Sequence, residues 1–409
     1  MRYVFLSAFA IFLAGGPALA AESVRVSQSD VITLALLKSN QALDAVRTAA
    51  IGDAEATELQ TFENPELQFD LEKERNSGGA GMAAEFFQPL RLSDLTGARR
   101  EAAESLRKLT TTEQHIARAA LIAEAGSTYT AFWAAQQREQ LFSSARREAR
   151  RAADILTRGA AQGQTDPAAL ELFQGDAAGW DAKLAANQAD LLVAGHQLSK
   201  LTGRNMAGSR LAAPDLSALP PVAQLIEAAG SHPNWRNLLD ERLKAAQARL
   251  RIAKDEGRLP EIGPRITYSR GAGGGSQSYG FGLSLRVPLW DTKAADRQRY
   301  QADISRAEQE ISRSAEYGLP QSIAALYARA EASAREYTLL KNSVLPRYRS
   351  SYQTTRNLLS QGQSDPMALW QVREKVTEAE SQLIESMVNA QLARLELAQE
   401  TGMIEELSK

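Results

Sequence analysis

The sequence contains no cysteine. Disulfide bridges, thiolate metal sites and a lipid-modified N-terminal cysteine are therefore excluded. Aromatic residues make up only 6% of the chain, whereas 44% of it is hydrophobic and much of that share is alanine. Small apolar residues in such excess favour long, closely packed helices over one thick globular core.

Histidine is scarce, and charge is nearly balanced. The three histidines, His115, His196 and His232, lie in different segments. None has a second histidine or a carboxylate at a metal-ligand spacing that recurs in the chain. We therefore expect neither an enzyme nor a metal or cofactor site. The net charge of −2 gives no reason to expect nucleic acid as a partner.

Long hydrophobic runs are also missing. The first twenty residues follow the basic, apolar, small-residue order of a secretory signal peptide, with cleavage expected between Ala20 and Ala21. After that segment, no apolar run approaches the ~18 residues of a spanning helix. Any insertion into a membrane would therefore have to use β-strands.

The most informative positive feature is an internal duplication. The segment 162–167 (QGQTDP) recurs as 361–366 (QGQSDP), so that Gly163 and Gly362 lie 199 positions apart. The same offset carries Pro89-Leu90 onto Pro288-Leu289. We divide the mature chain into a first repeat, residues 21–215, and a second repeat, residues 216–409.

Each repeat opens with a helical pattern that ends at a Pro-Glu pair and gives way to a hairpin. The opening helices are predicted over 29–62 and 221–257, and the hairpins over about 65–90 and about 260–289, each with a Gly-rich tip. The return strand of the second hairpin has one fully apolar face of about 9–10 residues, the length of a tilted membrane strand. Its outward, lipid-facing residues are predicted to be Tyr279, Phe281, Leu283, Leu285 and Val287. The return strand of the first hairpin, 82–88, is less regular, because Glu85, Phe86 and Phe87 interrupt the alternation.

Long helices follow each hairpin. They are predicted over 92–161 and 291–360, with Gly318 and Pro320 bending or interrupting the second. Turns at about 160–167 and about 359–366 lead into returning helices that end at Thr202-Gly203 and Thr401-Gly402. The length of each outgoing helix equals that of the returning and opening helices stacked end to end. Each repeat thus supplies two helical rods of equal length, here called struts: one is a single continuous helix, and the other consists of two shorter helices stacked end to end.

The returning helices carry heptad seams, which indicate coiled-coil packing. Each seam contains one polar residue at the same place, Asn187 in the first repeat and Ser386 in the second. Such a residue either sets the register of the helices or faces water; we favour the register role.

Two hairpins give four strands, and four strands cannot close a transmembrane barrel, which needs at least eight. The chain must therefore associate with copies of itself. A dimer would supply eight strands and a trimer twelve, and only the trimer leaves an open lumen.

The duplicated order of helix, Pro-Glu hairpin, Pro-Leu and long helix resembles the TolC-like outer membrane factors. The resemblance covers nearly the whole mature chain. It includes the paired turns formed by Gly163, Asp166 and Leu170 and by Gly362, Asp365 and Leu369.

This resemblance implies a mainly α fold with a small β part. In the family, a homotrimer forms a 12-stranded outer membrane β-barrel on a 12-strut periplasmic α-helical barrel. It acts as the exit duct of a tripartite efflux pump in a Gram-negative bacterium. The resemblance further implies outer membrane lipid around the barrel, an adaptor protein docked at the two turns and an inner membrane transporter of the RND type. Within the family the chain looks most like the CzcC-type heavy-metal branch, which implies metal ions as cargo.

One departure from the family pattern bears on gating. Members often carry aspartates about two turns past the tip glycine, where this chain has Glu171 in one repeat and Trp370 in the other. We interpret Asp166 and Asp365 as helix caps that precede Pro167 and Pro366. A second hypothesis for the whole chain is a soluble periplasmic coiled-coil protein that tethers other components, which would explain the heptads and the signal peptide.

Overall fold

The computed structural model describes residues 25–73, 80–90, 93–160, 167–232, 235–271, 276–316, 319–361 and 363–407. The predicted cleavage site at Ala20 and Ala21 lies outside these ranges. The first repeat comprises α1 (Gln28–Lys38), α2 (Asn40–Gln60), β1 (Glu66–Lys73), β2 (Ala80–Phe87), α3 (Ser93–Ala160) and α4 (Pro167–Thr202). The second comprises α5 (Val222–Ser231), α6 (Trp235–Glu256), β3 (Glu261–Arg270), β4 (Gln277–Arg286), α7 (Ala294–Glu316), α8 (Leu319–Leu339), α9 (Leu345–Ser360), α10 (Pro366–Thr401) and α11 (Ile404–Leu407).

The long helices agree with the prediction. The outgoing helix α3 has 68 residues, and the returning helices α4 and α10 have 36 residues each. Gly203 and Gly402 follow these returning helices with φ of 63° and 73°. Only glycine adopts this left-handed conformation at little cost, so both residues end their helices as expected.

Both opening segments are divided into two helices, where the sequence predicted one. Ser39 separates α1 from α2 because its backbone is extended and its hydroxyl accepts a hydrogen bond from Ala42 N at 3.0 Å. This contact caps a new helix instead of continuing the old one. In the second repeat, α5 ends at Ser231 and α6 begins at Trp235.

The second outgoing strut is interrupted twice. Helix α7 ends at Glu316 and α8 begins at Leu319, at the site where Gly318 and Pro320 predicted a break. A π-helical turn over Leu340–Val344 then precedes α9, whose first turn contains Pro346. Proline lacks the N–H that an α-helix would use, and the wider turn accommodates this loss. No sequence pattern predicted this second irregularity.

The helices pack side by side as the strut lengths predicted. Helix α3 lies against α4 along one part of its length and against α1 and α2 along the other. Helices α6 and α10 of the second repeat also pack on α3. Helix α6 further contacts α7, and helix α10 further contacts α8 and α9. Near the sheet the order is therefore α2, α3, α6, α7; away from the sheet it is α4, α3, α10, α9.

The main core joins both repeats around the middle of α3. Its fully buried side chains include Tyr129, Phe132, Leu198 and Leu397. The Tyr129 hydroxyl lies 2.7 Å from Ala212 O and 2.9 Å from Val26 O, so it ties two extended segments to α3. Burial raises the pKa of Tyr129, and the hydroxyl therefore stays protonated as the donor.

The polar residues of the heptad seams are buried. Asn187 is 3% exposed and donates from Nδ2 to Ala135 O in α3 at 2.9 Å, and Ser386 is 1% exposed. A water-facing role for these residues is therefore wrong. The bond from Asn187 to the neighbouring helix supports the register role.

Arg394 holds the end of the chain against the core. The guanidinium group is buried and donates from Nε to Leu407 O at 2.9 Å, from Nη2 to Ser217 Oγ at 2.6 Å and from Nη1 to Ser217 O. It thereby joins α10, α11 and the segment that links the two repeats.

We predict that Arg394→Met releases the C-terminal helix α11, because the buried Leu407 O and two acceptor atoms of Ser217 lose a charged donor, each bond being worth about 1.5–3 kcal/mol. Limited proteolysis followed by mass spectrometry should show earlier cleavage between α10 and α11. Arg329→Met is the matched control, since Arg329 makes only an exposed ion pair with Glu396. Equal cleavage of both variants would contradict the role given to Arg394.

Candidate channel-forming surfaces

The four strands form one antiparallel sheet in the order β1-β2-β3-β4. Directly opposite residues in such a sheet point to the same face. One row across the sheet runs from Leu67 to Phe86, Ile266 and Phe281. A second row joins Phe69, Ala84, Tyr268 and Tyr279. The register therefore aligns the apolar residues of both repeats on a single face.

This apolar face is open to its surroundings. The five residues predicted to meet lipid are all on it or at its end, and their exposures are 70% for Tyr279, 83% for Phe281, 78% for Leu283, 58% for Leu285 and 52% for Val287. Leu67, Phe69 and Leu71 of β1 are 64%, 71% and 82% exposed. A contiguous apolar surface of this kind marks a site of membrane or protein contact. Contact with lipid stays a prediction.

The opposite face is polar and held by ion pairs. Glu85 of β2 pairs with Arg265 of β3 at 2.6 Å. Arg286 of β4 reaches across the sheet to Glu66 of β1 and lies 3.6 Å from Glu261 of β3. Charged and hydrogen-bonding side chains on one face and apolar ones on the other are the arrangement of a membrane strand around an aqueous lumen.

Apolar and polar faces also alternate along the first return strand, β2, although its sequence is irregular. Met82, Ala84 and Phe86 lie on the apolar face, whereas Glu85 and Phe87 lie on the polar face. Although Phe87 is an aromatic residue on the polar face, only 3% of it is exposed. The Arg286 guanidinium lies 4.6 Å from its ring centroid. This cation–π contact could not be recognised from the spacing, because it joins residues of different repeats.

The sheet joins the helices through a close backbone contact. A Cβ atom at Gly263 would lie 2.0 Å from Gln88 O. Leu90 then extends β2 by one bridge, and its N–H donates to Ile262 O at 2.8 Å. Only glycine permits this approach, because a side chain at position 263 would collide with the backbone that leads from β2 towards α3. The sequence interpretation did not single out this residue.

At the far end of the molecule, the described part of the two tips lies close together. Trp370 of α10 contacts Phe173 of α4 with ring centroids 6.0 Å apart, and its Nε1 donates to Asp176 Oδ2 at 3.3 Å. The predicted tip residues Leu170 and Leu369 are half-buried there. Gly163, Asp166 and Gly362 lie outside the described residues.

Asp365 is a helix cap, as its sequence context predicted. Its side chain accepts a hydrogen bond from Met367 N at 3.1 Å, and Pro366 is the first residue of α10. Further from the tip, α3 and α4 are clamped by Asp181, whose pKa is lowered chiefly by its hydrogen bond from Arg150 and also by one from Arg146. The carboxylate is therefore ionised wherever the pH is near neutral.

Two other kinds of site are absent from the part of the chain that the structure describes. Among the described helices, none is both long enough and apolar enough to cross a membrane. Within the described ranges, no three His, Asp or Glu side chains are grouped as metal ligands would be.

Part of the second repeat matches a known protein family. Residues 239–403 match the outer membrane efflux protein family. This region contains most of the second repeat, including β3, β4 and the helices that follow. No curated protein sequence matches the chain.

Solved structures share the whole fold. The outer membrane channel CmeC of Campylobacter jejuni is 14% identical, with a TM-score of 0.74 over 98% of this chain and 98% of that one. The outer membrane protein VceC of Vibrio cholerae is 14% identical, with a TM-score of 0.72 over 92% of this chain and 96% of that one. The outer membrane channel MtrE of Neisseria gonorrhoeae is 16% identical, with a TM-score of 0.70 over 92% and 89%.

The resemblance to the TolC-like outer membrane factors is thus confirmed, by the family match for the sequence and by the channel structures for the fold. The efflux role and the outer membrane location predicted from the sequence agree with this family match.

We predict that Leu283→Asp blocks assembly in the outer membrane, because a charge on the lipid face of a barrel costs on the order of 2 kcal/mol in every copy. The amount of heat-resistant oligomer in washed outer membranes measures the effect. Gly282→Asp is the matched control: it lies next to Leu283 on the polar face, a Cβ there meets nothing within 4 Å, and Arg265 lies opposite. Normal assembly of Leu283→Asp would show that this face does not meet lipid.

Proposed function

We propose that three copies of this chain form the exit duct of a tripartite efflux pump in the outer membrane of a Gram-negative bacterium. The carrying observation is the four-stranded sheet, with one continuous apolar face and two open edges, on top of a strip of long helices. A second role, as a soluble periplasmic tether, would leave this large apolar face in water, which is unfavourable.

The arrangement of the strip indicates how copies join. Elements of the first repeat (β1, α2, α4) form one edge, and elements of the second repeat (β4, α7, α9) form the other. The two repeats meet inside the chain through β2 and β3 and through α3 with α6 and α10. Because the repeats are alike, the seam between copies is expected to repeat the seam within one copy.

This symmetry predicts the register between copies. Within the chain Phe86 lies opposite Ile266, and Phe87 lies opposite Arg265. The return strands align through Pro89 and Pro288, so that Leu285 is equivalent to Phe86 and Arg286 to Phe87. The first strands align through the Pro-Glu pairs at 65–66 and 260–261, so that Leu71 is equivalent to Ile266 and Asp70 to Arg265. Leu285 of one copy should therefore face Leu71 of the next, and Arg286 should face Asp70. Both pairs are chemically complementary, which supports the register.

We predict that cysteines introduced as Leu71→Cys and Leu285→Cys in one chain form disulfides between copies. Cβ atoms directly opposite in a sheet lie about 4.5–5.5 Å apart, close enough for oxidation after a small adjustment. Because the natural chain has no cysteine, no other thiol competes. Non-reducing gels should show covalent trimers.

The control moves one cysteine by a single residue. Leu71→Cys with Ser284→Cys places the two thiols on opposite faces, because strand side chains alternate. Only monomers are then expected. Equal cross-linking of both pairs, or of neither pair, would contradict the register.

The turns at Gly163 and Gly362 are proposed to dock a periplasmic adaptor that bridges to an inner membrane transporter of the RND type. Support comes from the contact between α4 and α10 at Trp370, which brings the two tips to the same end of the chain. Asp166, Leu170, Asp365 and Leu369 complete these tips. The resemblance to the CzcC-type branch supports metal ions as the exported class.

We predict that Gly163→Val with Gly362→Val impairs efflux while leaving the trimer intact, because branched side chains would obstruct docking at the two turns that the sequence predicts. The measurement is growth of a deletion strain carrying the variant on a panel of divalent metal salts, dyes and detergents. Gly175→Val is the control, since a Cβ at this position of α4 meets nothing within 4 Å. Wild-type resistance of the double variant would exclude the turns as docking sites.

A further inference from the structure

Within one chain, Arg373 of α10 joins the two repeats on the tip side of the core. Its Nε lies 2.7 Å from Glu148 Oε2, and its Nη2 donates to Ala145 O at 2.6 Å. Both acceptors belong to α3, the outgoing helix of the first repeat. A charged contact therefore holds the returning helix of one repeat against the outgoing helix of the other.

The equivalent face of α4 is uncovered. Gln391 of α10 is 2% exposed and donates to Gln28 Oε1 of the first repeat at 3.0 Å. Its equivalent in α4, 199 positions earlier, is Leu192, which is 71% exposed. Gln174, the equivalent of Arg373, is exposed as well. The face of α10 that the first repeat covers thus has an open counterpart in α4, at one edge of the strip.

Helix α9, at the other edge of the strip, carries three arginines and no acidic residue. Arg349 pairs with Glu380 of α10 at 2.6 Å. Arg347 is exposed and makes no ion pair with any residue that the structure describes. It is the equivalent of Glu148, so the position that is acidic in the contact between repeats is basic at this edge.

An acidic residue lies on the open face of α4. Glu171 precedes Gln174 by three residues, about one helical turn, so the two side chains are neighbours on the helix. Glu171 is exposed, and it too has no ion-pair partner in the described ranges. The signs of the internal contact are therefore exchanged at the edges, with the base on the outgoing helix and the acid on the returning helix.

We propose that Arg347 of one copy pairs with Glu171 and Gln174 of the next copy, and that this contact joins α9 to α4 around the ring. The inference rests on the proposed function, since it needs a closed ring of copies. Because the contact between copies is expected to repeat the contact within a chain, Arg347 should face position 174 as Glu148 faces Arg373. The planar guanidinium group has five N–H donors, enough for a carboxylate and an amide oxygen together.

The exchange of sign makes the two kinds of contact specific. If α10 of another copy took the place of α4 beside α9, Arg347 would face Arg373. If α4 took the place of α10 beside α3, Glu171 would lie near Glu148. Like charges repel in both cases, so each returning helix is favoured beside only one of the two outgoing helices.

The test uses Arg347→Lys and a water-soluble carbodiimide, which joins a lysine amine to a carboxylate in contact with it and leaves no spacer. The full chain is purified from outer membranes as an oligomer, treated, and digested for mass spectrometry. Within one chain, α3 and α10 separate α9 from α4, and each helix contact adds about 8–10 Å. A link between position 347 and Glu171 can therefore form only between copies.

We expect covalent dimers and trimers above the wild-type background on denaturing gels, and a peptide that joins position 347 to Glu171. Adding Glu171→Gln to the same chain should remove this peptide, because an amide does not react. Arg349→Lys is the matched control, since the new amine should be joined to Glu380 of its own chain and create no additional covalent oligomer.

Two outcomes would contradict the pairing. If Arg349→Lys reacts while the trimer of Arg347→Lys gives no link to Glu171, or gives a link to another carboxylate instead, the pairing is wrong and the duct stands. If the wild-type chain extracted from membranes is a monomer, both the pairing and the proposed function are wrong.

Discussion

Backbone hydrogen bonding at the two open edges of the sheet is the constraint on which the rest of the structure depends. Strands β1 and β4 each present an unpaired edge, and the apolar face beside them suits a medium that offers no replacement hydrogen bonds. Such a sheet is stable in lipid only when every edge meets another, which requires a closed ring of chains. Helix α2 leads into the edge strand β1, and the edge strand β4 leads into α7. In the proposed ring of chains, pairing of the edge strands would therefore also bring the edge helices of neighbouring chains together.

Because of the duplication, closure of the ring would need no new type of contact. A chain whose repeats already pack against each other contains, in its own middle, a copy of the contact that it needs at its edges. Under the proposed register, the pairing of β4 with β1 of the next chain would repeat the pairing of β2 with β3. The repeats are nevertheless unequal, because Phe87 of the first repeat is replaced by Arg286 at the equivalent position of the second, and these two side chains form a cation–π contact. In the proposed trimer, such differences would distinguish the contacts within a chain from the contacts between chains.

The sequence predicted the features that repeat and missed the features that arise from contacts between repeats. The 36-residue returning helices, the 68-residue α3 and the cap at Asp365 follow from proline, glycine and apolar periodicity, which are local signals. The helix breaks at Ser39 and at the π turn depend on single side chains within segments whose apolar periodicity is helical throughout. Apolar periodicity therefore does not show where these breaks occur. The clamp at Arg394 and the contact of Trp370 with Asp176 join residues far apart in the chain, so no spacing reveals them.

Rigidity is distributed unevenly along the strip, and this distribution bears on how a duct could open. The middle is fixed by a buried core that includes Tyr129 and Arg394, which leaves little freedom for the repeats to slide. Toward the tips, the repeats are joined by the hydrogen bond from Arg373 to Ala145 O at 2.6 Å and by the contacts of Trp370 with Phe173 and Asp176. The main core does not extend to this part of α4. Because a packed core opposes local opening, a deformation confined to the tip-proximal parts of α4 and α10 would leave that core intact, whereas a deformation of the middle would disrupt it.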